Sequence, residues 1–291
     1  LKNDRLKRET RLWNFFFGTH GGGGRFSTQN SQPEWISRKF FFRAEPEKKE
    51  TEWFASWFDS PYYPMLYKHR DEAEAAEALT NLHRFLKLPN NTLVLDLCCG
   101  QGRHSRTLHT LGCRVVGIDL SASAIAYAQS LATPGQRFEV QDMRSFSVAE
   151  RFDVVFNLFT SFGYFNSDDE NLRVLNRISE HLQPNGILVL DYLNAVPLLN
   201  QQTQRGEHLI EGVMFRTNKR IEGSSVVKHI EVIDREQTHE FSESVQLITL
   251  EDFTTMLQSC GFAIEMVFGN YQLEEYQPQE SPRCLIIARK S

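Results

Sequence analysis

The sequence has few cysteines and no long apolar run. Its 291 residues include five cysteines, an odd number without the spacing of a disulfide framework, which excludes a small disulfide-stapled secreted fold. No apolar run approaches the roughly 20 residues that span a bilayer. No secretory signal peptide is recognisable either. Together these absences predict a cytoplasmic protein that contacts no membrane.

Metal-binding patterns and a strong charge imbalance are also missing. There is no Cys-x-x-Cys pair and no His-Glu-x-x-His motif, and the nine histidines are scattered, so we expect no metal. The formal net charge of −5 gives no whole-chain reason to expect a nucleic-acid partner. The length allows one sizeable core with insertions, or at most two small domains.

The first 50 residues differ in composition from the rest. They contain four consecutive glycines at 21–24, a polar stretch at 27–33 and a charged run at 45–50. Such segments bury too little apolar area to offset the entropy lost on ordering. We therefore expect residues 1–50 to be a poorly ordered extension, with a targeting arm as the alternative, and residues 51–291 to form the functional domain.

Beyond this extension, helix and strand patterns alternate. Apolar residues recur at three- and four-residue steps within 71–88 and 167–182, which predicts amphipathic helices. A short, nearly continuous apolar run at 92–97 is typical of a strand covered on both faces, and further strands are predicted at 115–119, 138–140, 153–156, 187–190, 264–268 and 285–288. Alternating strands and helices predict an α/β fold with a Rossmann-like, mostly parallel sheet of seven strands and helices on both faces.

The pattern changes after the fifth predicted strand. Residues 213–250 contain three extended segments, with turn candidates at 222–224 and 234–236. We expect a small antiparallel β flap, inserted at about residues 203–248. A capping-box pattern at 249–252 then begins another helix.

Polar residues that could bind a ligand follow the first strand. Gly100 and Gly102 lie between that strand and the next helix, where ligands of open α/β sheets bind and where backbone N–H groups approach them. Ser105 replaces the third glycine of the dinucleotide fingerprint, and the charge of Asp96 would oppose a pyrophosphate. A cationic ligand without phosphate suits this carboxylate better, and S-adenosylmethionine (SAM) is such a ligand.

Further candidates follow the next three strands. Asp119 ends the second strand, where an acid accepts hydrogen bonds from ribose hydroxyls. Asp142 follows the third strand and could accept from the adenine amino group, with Met143 on the adenine face. Asn157 ends the fourth strand and begins an aromatic loop, which we expect to border the transferred methyl group or to be ordinary core. The acceptor-site candidates in this loop are Phe159, Phe162 and Tyr164.

Several segments together resemble the class I SAM-dependent methyltransferases. Residues 94–102 resemble their motif I, residues 117–121 their second motif, residues 141–143 their third, and residues 182–186 the turn before their fifth strand. The resemblance runs from about Trp53 to the C-terminus. It implies SAM as cofactor, S-adenosylhomocysteine (SAH) as product, and Leu120 beside Asp119 as a cofactor contact.

Within this class, the flap resembles that of small-molecule enzymes such as glycine and amino-sugar N-methyltransferases. Residues 62–70 resemble the aromatic segment that closes over SAM in that group, which implies cofactor contacts for Tyr63, Tyr67 and Arg70. One departure is Cys98, which occupies the position usually held by the first glycine of motif I. We expect only a modest rearrangement there.

These observations predict methyl transfer from SAM to a small-molecule acceptor by in-line displacement. The cofactor supplies the activated group and the protein supplies position and a dry pocket, so no universal catalytic residue is required. An amine acceptor must arrive neutral, and a nearby base would help. The candidates for this role are His239, Glu240 and Glu243 on the flap, and Tyr164.

Other functions remain open at this point. An RNA or protein methyltransferase would need a basic face, for which the local hint is Arg216, Lys219, Arg220 and Lys228. Because acids are interspersed with them, we expect a solvated strand face instead. A SAM-binding regulator without catalysis would have an occluded acceptor cavity. Asp96 and the missing third glycine disfavour a nicotinamide-dependent oxidoreductase. The protein could be a monomer or a homodimer.

Overall fold

The structure, a computed structural model, describes residues 52–68, 72–199 and 202–291. The extension predicted at 1–50 and the lid candidate Arg70 lie outside the described residues. The helices are α1 (Trp53–Phe58), α2 (Tyr62–Leu66), α3 (Glu72–Leu86), α4 (Arg103–Thr110), α5 (Ala122–Ser130), α6 (Asp168–His181), α7 (Ala195–Leu198) and α8 (Leu250–Ser259). No helix in these ranges is long and apolar enough to cross a membrane.

The strands form two sheets. They are β1 (Leu93–Leu97), β2 (Arg114–Asp119), β3 (Gln136–Val140), β4 (Phe152–Asn157), β5 (Leu182–Leu193), β6 (Gln204–Ile210), β7 (Val213–Glu222), β8 (Ser225–Asp234), β9 (Gln237–Gln246), β10 (Phe262–Phe268) and β11 (Arg283–Lys290). The larger sheet has seven strands in the order β10-β11-β5-β4-β1-β2-β3. Strands β1 to β5 are parallel to their neighbours among them, and β11 is antiparallel to β5 and β10. The predicted fold class is confirmed.

The strand order indicates at which edge of the sheet a ligand would bind. Strand order reverses between β1 and β4, and open α/β sheets bind ligands outside the carboxyl ends of the strands at such a switch point. Strand β1 is buried on both faces, as its apolar run predicts, with Val94, Leu95 and Leu97 fully buried. Leu79 and Leu82 of α3 pack into the same core cluster as Val94, which confirms the predicted apolar face of that helix.

Two helix starts follow local sequence rules. The Ser121 hydroxyl accepts a hydrogen bond from the Ala124 N–H and caps α5, as expected of a serine before a helix. Thr249 and Asp252 form a complete capping box at the start of α8, and this prediction is confirmed as well.

The flap is a separate antiparallel sheet in the order β6-β7-β8-β9. The three predicted segments correspond to β7, β8 and β9, with turns where the sequence indicates them. The sequence pattern does not predict strand β6. It is an edge strand without a fully buried residue, so it lacks the apolar alternation that identifies a half-buried strand. One flap face contacts α1 and α2, with the Trp57 and Phe241 ring centroids 4.7 Å apart.

Candidate active site

The chain turns sharply after β1. Cys98, Gly100 and Gly102 all have left-handed backbones, with φ of 64°, 52° and 75°. A Cβ on Gly100 would meet no atom within 4 Å, whereas one on Gly102 would lie 3.1 Å from the Ala128 Cβ and the Phe138 ring. Gly100 therefore faces open space, and Gly102 allows α4 to lie close to α5 and β3. We call residues 98–102 the glycine turn.

Cys98 shows why a glycine would suit its position. A left-handed φ is strained for a residue with a Cβ, yet Cys98 adopts it, so the turn keeps its shape. The Cys98 Sγ lies 3.5 Å from the Met143 Sδ. Burial raises the pKa of the Cys98 thiol well above its usual value, so it stays protonated and is a poor nucleophile.

Two carboxylates flank the glycine turn. Asp96 is 1% exposed and accepts a hydrogen bond from the Ser105 hydroxyl at 2.6 Å. Burial, with a contribution from the charge of Asp119, raises the pKa of Asp96 to about 6. Asp119 accepts from the backbone N–H groups of Gly100 at 2.8 Å and Ser121 at 2.9 Å, and burial raises its pKa too. A cationic ligand here would offset the electrostatic cost of ionising both carboxylates.

Asn157 lies at the carboxyl end of β4, beside β1. Its Nδ2 donates to the Leu97 carbonyl at 3.2 Å and to the Ser161 carbonyl at 3.0 Å. Its Oδ1 is buried and has no hydrogen-bond partner among the described residues. A buried acceptor without a partner is costly, so this oxygen is suited to a ligand donor.

Asp142 accepts hydrogen bonds from Arg144, a residue that no sequence pattern singles out. Arg144 donates to it from Nη2 at 2.6 Å and from its backbone N–H at 2.8 Å. Burial would raise the pKa of Asp142, but these hydrogen bonds outweigh it and the pKa is lowered. Arg144 also pairs with Glu170 at 2.9 Å. Nearby, Met143 is buried and the Leu120 side chain is 37% exposed.

The aromatic residues after β4 occupy different environments. Phe162 is fully buried and packs against Phe253 and Tyr192, so it lies in the core. Phe159 is stacked between His104 and Tyr271, at centroid distances of 4.9 and 5.3 Å. Its ring therefore connects α4, which follows the glycine turn, to the loop between β10 and β11.

Tyr164 lies close to three parts of the molecule. Its hydroxyl donates to the Thr160 carbonyl at 2.6 Å, and Trp53 of α1 donates from Nε1 to the Tyr164 carbonyl at 3.3 Å. Burial raises the pKa of Tyr164 well above its usual value, and Tyr63, Cys98 and Glu243 are close enough to raise it further. The Tyr164 phenol therefore lies among the glycine turn, the flap and helices α1 and α2.

We call residues 53–67 the lid, because they cover this region. Trp57 Nε1 donates to Glu243 Oε1 at 2.7 Å, and the Tyr67 hydroxyl donates to the same oxygen at 2.6 Å. Tyr63 packs edge-on against Trp57 and Tyr67, at 5.7 and 5.1 Å. Glu243 thus joins the lid to the flap, and its oxygens are already occupied by donors.

The prediction of a solvated basic strand face is wrong for two of its four residues. One cross-strand row on the inner flap face contains Gln204, Lys219, Lys228 and Glu243. Both lysines are 9% exposed, and burial, with the nearby charge of Lys228, lowers the pKa of Lys219 to about 7. Arg216 and Arg220 have exposed side chains paired with acids, as predicted. Composition could not separate the faces, because both contain charges.

The four candidate bases have different locations and hydrogen-bond partners in the structure. Glu240 lies opposite Glu231 in the register of β8 and β9, on the exposed face of the flap and away from the lid. His239 is on the inner face, with its ring 5.2 Å from that of Tyr62. Tyr164 holds its proton in the bond to Thr160, and Glu243 accepts from the lid, so neither is poised as a free base.

Comparison with known proteins agrees with this geometry. Residues 94–186 match the methyltransferase domain family. The dTDP-3-amino-3,6-dideoxy-alpha-D-glucopyranose N,N-dimethyltransferase of Streptomyces fradiae is 29% identical over 210 residues, covering 69% of this chain and 80% of that protein. The putative methyltransferase YqeM of Bacillus subtilis is 27% identical over 218 residues, covering 70% and 86%.

A solved structure has the same fold. An S-adenosylmethionine-dependent methyltransferase from Clostridium acetobutylicum superimposes with a TM-score of 0.68 at 18% identity, over 79% of this chain and 96% of that one. The matched domain contains the glycine turn, Asp96, Asp119 and Asn157. Residues 94–186 are thus similar to the methyltransferase domain family, and the fold of the chain, with its sheet order, is that of the Clostridium acetobutylicum enzyme.

Proposed function

We propose that the chain methylates an amino group of a small molecule, with SAM bound at the carboxyl ends of β1 and β2. The observation that carries this proposal is the pair of carboxylates on either side of the open glycine turn, Asp96 buried and Asp119 partly buried, both with raised pKa values. Buried like charges are unfavourable unless a cation joins them. SAM is a cation without phosphate, and it fits this pair where a dinucleotide does not.

The residues present fit the cofactor in further ways. Gly100 has open space where its Cβ would be, so ligand and backbone can approach closely. The buried Oδ1 of Asn157 needs a donor, and the SAM ammonium is one. The exposed Leu120 side chain follows Asp119 directly, where an adenine ring would cover it.

Each residue then has an assigned task. Asp119 accepts from the ribose hydroxyls, and Asp96 faces the ammonium group of the cofactor. Asp142 is proposed for the adenine amino group, although Arg144 already donates to both of its oxygens. The remaining proposed cofactor contacts are Cys98, Gly100, Gly102, Leu120, Met143, Asn157, Tyr63, Tyr67 and Arg70, the last on the resemblance alone.

The acceptor is proposed to lie beneath the lid, between the glycine turn and the flap. Bound SAM supplies an activated methyl group, and the protein aligns the acceptor nitrogen and excludes water. Tyr164 acts by position, since its raised pKa keeps it protonated. The sugar N,N-dimethyltransferase relative supports an amino sugar on a nucleotide carrier as the first acceptor to test. The five free cysteines support a reducing, cytoplasmic location.

The experiment that tests the cofactor is calorimetric titration with SAH, with NADH as the ligand control. Tight SAH binding and no NADH binding support the proposal, and the reverse would refute it. Asp119→Asn should weaken SAH binding. Asp153→Asn is its matched control, because Asp153 also accepts a backbone N–H, from Leu93 at 2.9 Å, but at the amino end of β1.

A second experiment tests the acceptor. The protein is incubated with SAM and dTDP-3-amino-3,6-dideoxy-alpha-D-glucopyranose, and mass spectrometry follows the sugar nucleotide. Gain of one or two methyl groups supports an amino-sugar acceptor. SAH binding without methyl gain would remove this acceptor and leave the cofactor assignment intact.

A further inference from the structure

The loop after β4 has an unusual backbone. Phe159 and Thr160 are consecutive residues with left-handed φ of 57° and 63°. Thr160 is β-branched, and such a residue rarely adopts this conformation. Strain of this kind persists only where the surrounding structure imposes it, and it is often found at functional sites.

A buried carboxylate imposes this backbone. Asp191, on β5, is fully buried. Its Oδ2 accepts from the Phe159 backbone N–H at 2.7 Å, and its carbonyl accepts from the Thr160 N–H at 3.0 Å. Both strained residues therefore donate their backbone N–H groups to Asp191.

Two further side chains hold Asp191 in place. The Tyr271 hydroxyl donates to Oδ2 at 2.6 Å, and Arg283 Nε donates to Oδ1 at 2.8 Å. Arg283 also donates from Nη2 to the Thr160 hydroxyl at 2.9 Å. The carboxylate is thus neutralised by a paired cation, as a buried charge requires, and that cation also binds the strained threonine.

The strained residues lead to the candidate site by two routes. The Thr160 carbonyl accepts from the Tyr164 hydroxyl at 2.6 Å, so the conformation of Thr160 sets where that phenol lies. The Phe159 ring stacks on His104 of α4, directly after the glycine turn. A change at Asp191 would therefore reach both Tyr164 and the helix that follows the glycine turn.

We infer that Asp191 and Arg283 are positioning residues for methyl transfer, which hold the Phe159–Thr160 backbone so that Tyr164 and the glycine turn face one pocket. Neither residue needs to touch substrate. This inference rests on the proposed function for its meaning, but the loop geometry can be tested separately.

The test combines SAH titration with hydrogen exchange of the peptide covering residues 158–165. Asp191→Asn leaves a similar shape but replaces one acceptor oxygen by a donor and removes the charge. We expect SAH affinity to fall about tenfold, the size of losing one hydrogen bond to a charged group. Exchange in 158–165 should accelerate, while α6 remains protected. Asp153→Asn should change neither measurement.

A second substitution distinguishes positioning from general stabilisation. Asparagine adopts the left-handed conformation far more readily than threonine, and its side-chain oxygen can still accept from Arg283. Thr160→Asn should therefore restore most of the SAH affinity and loop protection in the Asp191→Asn background. Thr160→Val, which is β-branched and lacks the hydroxyl, should restore neither.

Clear outcomes would overturn the inference. It is wrong if Asp191→Asn binds SAH and protects 158–165 as the unchanged protein does, or if Thr160→Asn fails to restore a folded double variant. Should Asp191→Asn not fold, Tyr271→Phe removes one hydrogen bond to Asp191 and keeps the stacked ring, and the same pattern should appear at about a threefold loss. If the unchanged protein itself binds no SAH, the proposed function fails, and loop exchange alone still decides whether Asp191 holds the loop.

Discussion

The glycine turn and the inner flap face both bury charge, but they hold it in different ways. At the turn, Asp119 accepts hydrogen bonds from the N–H groups of Gly100 and Ser121, which are near it along the chain or on the adjacent strand end. On the flap, Glu243 is held by Trp57 and Tyr67, more than 170 residues away. The proposed cofactor side therefore depends on local backbone geometry, and the proposed acceptor side depends on contacts between the lid and the flap.

The largest expected effect tests the local side of this comparison. Asp119→Ala removes the acceptor for two backbone N–H groups and for the proposed ribose contacts. Hydrogen bonds to a charged group contribute about 1.5–3 kcal/mol each, so SAH affinity should fall roughly a hundredfold or more. Calorimetry measures this, and a loss below about threefold would show that Asp119 is not a cofactor residue.

The next effect concerns pH. Burial raises the pKa of Asp96 from 3.8 to about 6. In the free protein, the stability contribution of Asp96 is therefore fully present below about pH 4 and is lost as the pH rises through about 6. Binding of the ammonium group that SAM and SAH share needs the carboxylate, so the pH dependence of binding has the opposite sign.

SAH affinity should accordingly be about tenfold weaker at pH 5 than at pH 7 on account of Asp96. Titration across this range measures the effect. The Asp96→Asn variant should bind more weakly at pH 7 and lose most of this pH dependence. An unchanged slope in the variant would assign the pH effect to another group.

The flap side should respond more weakly in cofactor binding. Glu243→Gln removes the charge that accepts from Trp57 and Tyr67, and leaves Lys228, 3.8 Å away, beside a neutral amide. We expect a loss of about 1–3 kcal/mol in the free energy of unfolding. SAH affinity should change less than tenfold, because this contact lies on the proposed acceptor side. A larger loss of SAH binding than of stability would contradict the division between the two sides.

The smallest effect is expected at Cys98. Cys98→Gly removes a Cβ from a left-handed position, which relieves about 1 kcal/mol of backbone strain, while it adds chain entropy to the unfolded state. These effects nearly cancel, so the free energy of unfolding measured by denaturant titration should change by less than about 1 kcal/mol. SAH affinity should stay within about threefold, because the contact proposed for Cys98 is made by its backbone, and a large loss would show that the thiol itself contacts the ligand.

The site residues that the sequence predicts are those at the ends of strands. Asp96, Asp119 and the two glycines stand where a strand meets a helix, and backbone rules alone indicate their side of the sheet. The same rule could have identified Asp191, which stands near the end of β5, but no neighbouring glycine drew attention to it. Its partners Tyr271 and Arg283 are 80 and 92 residues away, and sequence spacing gives no sign of them.

Elsewhere the sequence could not separate alternatives. Lys219 and Arg220 are adjacent basic residues on one strand, yet one is buried in the inner face and the other is exposed. Phe159 and Phe162 stand three residues apart in one aromatic loop, yet only Phe162 lies in the core. The inner flap face is covered by the lid, and Phe162 is covered by Phe253 and Tyr192, so both outcomes depend on tertiary contacts.

The sequence by itself determined the α/β alternation, the position of the glycine turn and the acids beside it, because hydrophobic period, glycine conformation and helix capping act over a few residues. Only the tertiary structure decided which flap face is buried, what Glu243 binds and how Asp191 holds the strained loop. Those features arise when distant segments exclude water together, and the energy of a buried charge depends on every group packed around it.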